Sequence, residues 1–224
     1  MRVAVFSDVH GNLVALEAVL AHIGGQRVDH VVCGGDLAFG GPDPEGSVYR
    51  VRTLGIPCVR GNTDEWMTPD VREHEPTTAW TRARLSAASR EYLAGLPFLH
   101  RIGDLVVVHA TPWSISDVVP KDADATHVRR MLDEAGARTV VYGHIHVAWI
   151  GHAQDGDLLV NAGSVGFPFD GDPRASYVVL ERAGPGWSAL IHRVAYDVER
   201  AAVFPADHPA PAAWASRMRT GRRG

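Results

Sequence analysis

Three short β-branched runs separated by two helical stretches open the chain and restrict what it can fold into. Arg2–Phe6 reads as a buried strand. A polar turn, residues 7–12, follows it. Leu13, Leu16, Leu20 and Ile23 then mark one helical face that stops at Gly24-Gly25. His30–Cys33 reads as a second strand, Pro44–Leu54 as a second helix, and residues 57–60 as a third strand ended by Gly61. This β-α-β-α-β order implies an α/β protein with a parallel sheet and right-handed crossovers.

The rhythm changes along the chain. Residues 65–96 are polar with weak helical periodicity and read as one or two helices. Residues 98–102 and 105–109 form a hairpin pattern across Gly103-Asp104. Residues 122–135 read as a helix with an acidic start, stopped by Gly136, and Thr139–Tyr142 as another buried strand. After Gly143, residues 147–152, 157–161, 175–181 and 187–194 read as strands with no helix between them, which predicts antiparallel pairing. Residues 1–203 are expected to form one domain. Residues 204–224 are a Pro/Ala/Arg-rich tail with Arg217, Arg219, Arg222 and Arg223, read as a solvated, frayed terminus with a short helix near 212–217.

Composition narrows the function classes. With 46% hydrophobic and 21% charged residues, the 224-residue chain can bury a sizeable core. The net charge of −4 supplies no basic field, so stable nucleic-acid binding is not expected. Cys33 and Cys58, far apart in sequence, exclude a cysteine zinc cluster and a disulfide scaffold, and predict a reducing, cytoplasmic location. The apolar stretch after Arg2 is too short for a signal peptide, and no run is long enough to span a membrane. A homo-oligomer is left open. The unusual feature is twelve histidines.

In an open α/β sheet, ligands gather at the carboxyl ends of the strands. After the first strand comes Asp8-Val9-His10; after the second, Gly35-Asp36; after the third, Gly61-Asn62. After the 105–109 strand comes His109, and after Thr139–Tyr142 comes Gly143-His144-Ile145-His146. The set holds two Asp, one Asn and four His. Carboxylate, amide oxygen and imidazole without thiolate suit divalent ions from Mg²⁺ to Zn²⁺. Seven donors exceed the roughly four of one tetrahedral site. They suffice for two ions sharing a carboxylate, the arrangement that drives in-line attack at phosphorus. The other eight histidines (His22, His30, His74, His100, His127, His152, His192 and His208) have no motif around them and read as surface or core residues.

The ordered set Asp8-Val9-His10, Gly35-Asp36, Gly61-Asn62, His109 and Gly143-His144-Ile145-His146 resembles the calcineurin-like metallophosphoesterases, over residues 1 to about 195. Residues 161–166, reading NAGSVG, resemble a segment of the small bacterial phosphodiesterase-like branch. The resemblance implies an α/β/β/α sandwich of two packed mixed β-sheets flanked by helices. It implies that Asp8, His10 and His146 hold one divalent ion, that Asp36 bridges, and that Asn62, His109 and His144 complete a second. Manganese is the expected metal, with iron, zinc, nickel or magnesium compatible. The implied reaction is hydrolysis of a phosphodiester in a phosphorylated small molecule, by in-line attack of a metal-bridging hydroxide. Asp36, Asn62 and His109 are its expected catalytic residues. A phosphomonoesterase or nucleotide pyrophosphohydrolase is the alternative enzyme, and a non-catalytic scaffold of the same fold is the alternative outside enzymes.

One departure from the family pattern bears on chemistry. Many members carry His after the Gly-Asn pair, placed to protonate a leaving group, and here Thr63 stands there. A threonine hydroxyl cannot do that at neutral pH, which argues against efficient cleavage of unactivated alkyl esters. Asp64 and Arg174 are candidate substrate contacts, the latter because a guanidinium suits phosphate bidentately. Trp66, Trp80 and Trp113 are candidates for a substrate face, or plain core aromatics.

Overall fold

The computed structural model describes residues 1–68, 76–153 and 155–223. In chain order, the first half contains β1 (Arg2–Phe6), α1 (Leu13–Gly24), β2 (His30–Cys33), α2 (Pro44–Leu54), α3 (Asn62–Trp66), α4 (Pro76–Arg84) and α5 (Ala87–Ala94). Then come β3 (Leu99–Ile102), β4 (Leu105–Val108), α6 (Ala125–Ala135), β5 (Thr139–Tyr142), β6 (Trp149–His152) and β7 (Leu158–Asn161). β8 (Ala175–Ala183), β9 (Gly186–Val194), α7 (Val198–Ala201) and α8 (Pro211–Thr220) complete the chain. His74 and part of the polar 65–96 stretch lie outside the described residues.

Two mixed sheets result, ordered β2-β1-β8-β9 and β3-β4-β5-β7-β6. Side-chain alternation along the strands builds the layers. Val3 and Val5 of β1 join Val178 and Leu180 of β8, and Val107, Val141 and Val160 of the other sheet, in the cluster between the sheets. Ala4 and Phe6 point the other way and pack against Leu16 and Val19 of α1 and Val48 and Val51 of α2. On the far side, Val106, Val140 and Leu159 pack against Val128, Met131 and Leu132 of α6. The order of layers is therefore α/β/β/α, as expected.

Helix boundaries follow local chemistry. Asn12 caps α1 by accepting from the Ala15 N–H at 3.0 Å. Asp43 caps α2, Pro44 stands in its first turn, and Gly55 closes it in the left-handed region. No helix of the described residues is long and apolar enough to cross a membrane.

Three expectations need correction. Residues 57–60 form no strand; they contribute one parallel bridge, Cys33 to Cys58, beside β2. The chain leaves that edge at once, since the Arg60 N–H donates to the Pro97 carbonyl instead. Antiparallel pairing after Gly143 holds for β6–β7 and β8–β9, but the other side of β7 pairs parallel to β5. The terminal stretch is not frayed along α8. Trp214 and Met218 are buried in the helix-side core, although Arg219 and Thr220 face solvent.

Candidate metal centre

Each candidate ligand sits on a loop leaving the carboxyl end of β1, β2, β4 or β5, or at the start of α3. Backbone hydrogen bonds lace these loops together. The Asp8, His10 and Gly11 N–H groups donate to the carbonyls of Gly35, Asp36 and Leu37 at 2.8–2.9 Å. The Val165 and Gly166 N–H groups donate to the carbonyls of Ser7 and Asp8 at 3.0 Å, and Ser164 Oγ donates to the same Asp8 carbonyl. The 161–166 segment is thus a brace under the first loop.

Asp8, His10, Asp36, His144 and His146 all have φ between 51° and 66°. Only Arg27 and Asp122 share this conformation among the described non-glycine residues. Left-handed backbone costs such residues on the order of 1 kcal/mol or more each, and concentrated strain of this kind marks functional sites. Glycine supplies the clearance around the carboxylates. A Cβ on Gly61 would lie 2.0 Å from Asp36 Oδ1, and one on Gly143 would lie 2.2 Å from Asp8 Oδ2.

The four histidines share one device. One ring nitrogen of each meets a backbone carbonyl: His10 Nδ1 meets Phe39 O at 3.0 Å, His109 Nδ1 meets Gly34 O at 2.8 Å, His146 Nδ1 meets Phe167 O at 2.5 Å, and His144 Nε2 meets Ser116 O at 3.1 Å. A carbonyl can only accept, so these nitrogens carry the protons. The opposite nitrogens then present lone pairs inward, toward groups that are themselves acceptors. His10 Nε2 stands 3.1 Å from His146 Nε2. His146 Nε2 is 3.2 Å from Asp8 Oδ1, and Asp36 Oδ2 is 3.5 Å from both His10 Nε2 and His109 Nε2. Asn62 Oδ1 lies 3.0 Å from His109 Nε2 and 3.0 Å from His144 Nδ1. Acceptors facing acceptors repel unless a proton or a cation lies between them. Donors bound about 2.1 Å from one ion stand roughly 3–3.5 Å apart, which is the spacing here. Two groups of potential ligands emerge, Asp8 with His10 and His146, and Asp8 with Asp36 and His109. The residues fit divalent ions.

The electrostatics agree. Burial alone raises the Asp8 pKa, but His146, His10 and His109 together hold it well below the usual carboxylate range. Burial lowers the pKa of His10, yet the Asp8 and Asp36 carboxylates outweigh it and raise the net value. His109 is raised against its burial by Asp36 and Asp8. The site therefore holds a negative potential that favours positive charge. His144, half-buried beside His109, is lowered by burial first and by that ring second.

All seven candidate ligands read from the sequence converge. Asp64 and Arg174 do not reach the cleft. Asp64 is fully buried, and its two oxygens accept from the N–H groups of Asp36 at 2.8 Å, Leu37 at 2.8 Å and Gly61 at 2.9 Å. It ties the Asp36 loop to the Asn62 loop. Burial and the adjacent Asp36 charge push its carboxyl up to about 6, against those three donors. Arg174 is exposed and pairs with Asp172 at 2.6 Å. Thr63 lines the cleft, donates its N–H to Asp36 Oδ1 at 2.9 Å, and has a buried hydroxyl without a partner among the described residues. Trp66 lines the cleft, whereas Trp80 and Trp113 do not. The residues missed from sequence are Phe39, Phe167 and Phe169, together with Trp214 and Arg217 of α8. The basic tail was the one visible signal of the last two.

A family model described as the calcineurin-like phosphoesterase superfamily domain matches residues 1–184. A metallophosphoesterase from Sphaerobacter thermophilus superposes with a TM-score of 0.81 at 29% identity, covering 99% of both chains. A hypothetical protein from Pyrococcus horikoshii shares the fold, with a TM-score of 0.80 at 18% identity over 100% of this chain and 99% of that one. An uncharacterized protein of Methanocaldococcus jannaschii is 27% identical over 89% of each chain.

Proposed function

We propose that this chain, which belongs to the calcineurin-like phosphoesterase superfamily, hydrolyses phosphodiesters with two divalent ions held at its strand ends. The observation that carries this reading is the inward lone pairs of four histidines, each fixed by a backbone carbonyl. In this reading Asp8, His10 and His146 hold one ion, Asn62, His109 and His144 the other, and Asp36 bridges. The position of Asp36 Oδ2, 3.5 Å from one histidine of each group, supports the bridging role. The oxygen and nitrogen donors suit manganese, and accept iron, zinc, nickel or magnesium. When bound, such ions lower the pKa of a water and neutralise charge on phosphoryl oxygens.

The protein's own part is preorganisation. Phe39, Gly34, Phe167 and Ser116 hold the proton of each imidazole on the outer nitrogen, so the inner nitrogen of each ring is the one aimed at an ion. Asp64 holds the Asp36 and Asn62 loops at one separation. Thr63, where a histidine acid would stand, donates no proton at neutral pH, so the chemistry favours leaving groups stable as anions. That and the 161–166 segment support diesters over monoesters. Buried Cys33 and Cys58 thiols suit a reducing cytoplasm.

The test measures bound metal and hydrolysis of bis(p-nitrophenyl) phosphate with added Mn²⁺. We expect two ions per chain, and loss of at least about 100-fold in rate for His10→Ala and Asp36→Asn, a cost at or above that of removing supporting residues. Metal-independent turnover, or unchanged rates in both variants, overturns the enzyme reading. One ion per chain overturns the dinuclear reading, and faster release from p-nitrophenyl phosphate overturns the diester preference.

A further inference from the structure

The ligand cluster opens into a cleft of about 590 Å³, within the range of small-molecule sites. His10, Asp36, Asn62, His144 and His146 form part of its wall. Another part is aromatic: Trp66 and Phe169 are partly exposed there, whereas Phe39, Phe167 and Trp214 also line it but are buried in the core. Trp214 comes from α8, which lies beyond the residues that the family model matches. Its ring stands edge-on to Phe167 at 4.4 Å and to Phe39 at 5.6 Å.

The same helix brings charge. Arg217, one turn on from Trp214, lines the cleft with its guanidinium 5.3 Å from the indole ring centre. Arg223 also lines it. Among the described residues, neither has a carboxylate within 4.0 Å, whereas Arg219, the other arginine of α8, pairs with Glu199 at 2.7 Å. Two unpaired guanidiniums beside an aromatic wall and a phosphoryl-type site match a ligand with a flat ring and more than one anionic group. Guanidinium binds phosphate through parallel N–H donors, and aromatic faces stack on bases.

We propose that α8 makes the cleft selective for nucleotide-type substrates that carry a second phosphate beyond the reacting one, with the base on the partly exposed rings of Trp66 and Phe169 and the second phosphate on Arg217. This rests on the phosphoesterase reading for the reacting group, but its recognition step can be read without turnover. The probes are thymidine 3′,5′-bisphosphate, thymidine 5′-phosphate and ribose 5-phosphate, titrated calorimetrically into the full chain with Mn²⁺.

We expect the bisphosphate to bind about tenfold tighter than the monophosphate, and thymidine 5′-phosphate about tenfold tighter than ribose 5-phosphate. Arg217→Ala cuts the bisphosphate advantage to about twofold or less. Arg222→Ala removes the same charge from a residue outside the cleft lining, and leaves the advantage intact. Equal affinities for the two thymidine nucleotides overturn the phosphate clamp. So does an advantage that survives in Arg217→Ala, or one that falls equally in Arg222→Ala. Equal binding of the ribose and thymidine monophosphates overturns the stacking wall. A chain that shows these preferences yet releases no nitrophenolate from any diester refutes the phosphoesterase reading alone, and an active chain without them refutes this proposal alone.

Discussion

Asp64 shows how one side chain can hold a site without touching its ligand. Its carboxylate gathers the N–H groups of Asp36, Leu37 and Gly61, so Asp64→Asn would turn an amide donor toward N–H donors. We expect a loss of about 1–3 kcal/mol in stability by urea denaturation, the cost of a buried unsatisfied group. Gly143 acts through space. A methyl there would meet Asp8 Oδ2 at 2.2 Å and Ser7 Oγ at 2.3 Å. Gly143→Ala should keep the fold and lower metal affinity roughly 10–100-fold, as loss of a supporting contact does; metal content after dialysis measures it. The seven donors were legible in sequence because each follows a buried strand or a Gly-flanked turn. The tautomer locks were not legible, because the Phe39, Phe167 and Ser116 carbonyls carry no side-chain signature. Asp64, a candidate substrate contact from sequence, instead turns its carboxylate inward to bare N–H groups.

Helix ends show how elements lock to one another. Glu45, in the first turn of α2, accepts from the Ser86 N–H at 2.9 Å, from Ser86 Oγ at 2.8 Å and from Ser89 Oγ at 2.9 Å, at the start of α5. Ser86 itself caps α5. Burial raises the Glu45 pKa, but the Ser86 and Ser89 donors outweigh it and leave the folded value below the ordinary one. The contribution to stability is therefore full above the unfolded value of about 4.3 and is lost as pH falls through the folded one. Glu45→Ala should cost about 1 kcal/mol at pH 7, the scale of a lost cap. The gap from the unmodified chain should close as pH drops below about 4 in urea titrations. The helical face of α1 and the strands β1, β2 and β5 were legible from periodicity. Residues 57–60 read equally well as a strand and failed to be one, since a strand needs a partner along its length and Arg60 finds Pro97 instead.

Across the chain, the two sheets bring β1 and β8, more than 170 residues apart in sequence, into antiparallel register at Val3 and Leu180. The last helix closes the same side as the first. Trp214 packs in the core with Val19 of α1 and Phe39 and Phe167 of the cleft. Trp214→Ala should therefore cost about 3–5 kcal/mol in denaturation, the range for removing a buried aromatic, and weaken nucleotide binding with it. A solvated tail would lose nothing measurable.

The donor types, their order along the chain and their place at strand ends follow from local pattern alone. Alternation, turn glycines and side-chain chemistry are properties of neighbouring residues. Three features came only from the folded chain: that β8 returns beside β1 and β7 beside β5, which carbonyls fix each imidazole, and that α8 returns to wall the cleft. Each depends on groups brought together by burial of apolar surface over long sequence separations, and burial rewards area without specifying in any local segment what will cover it.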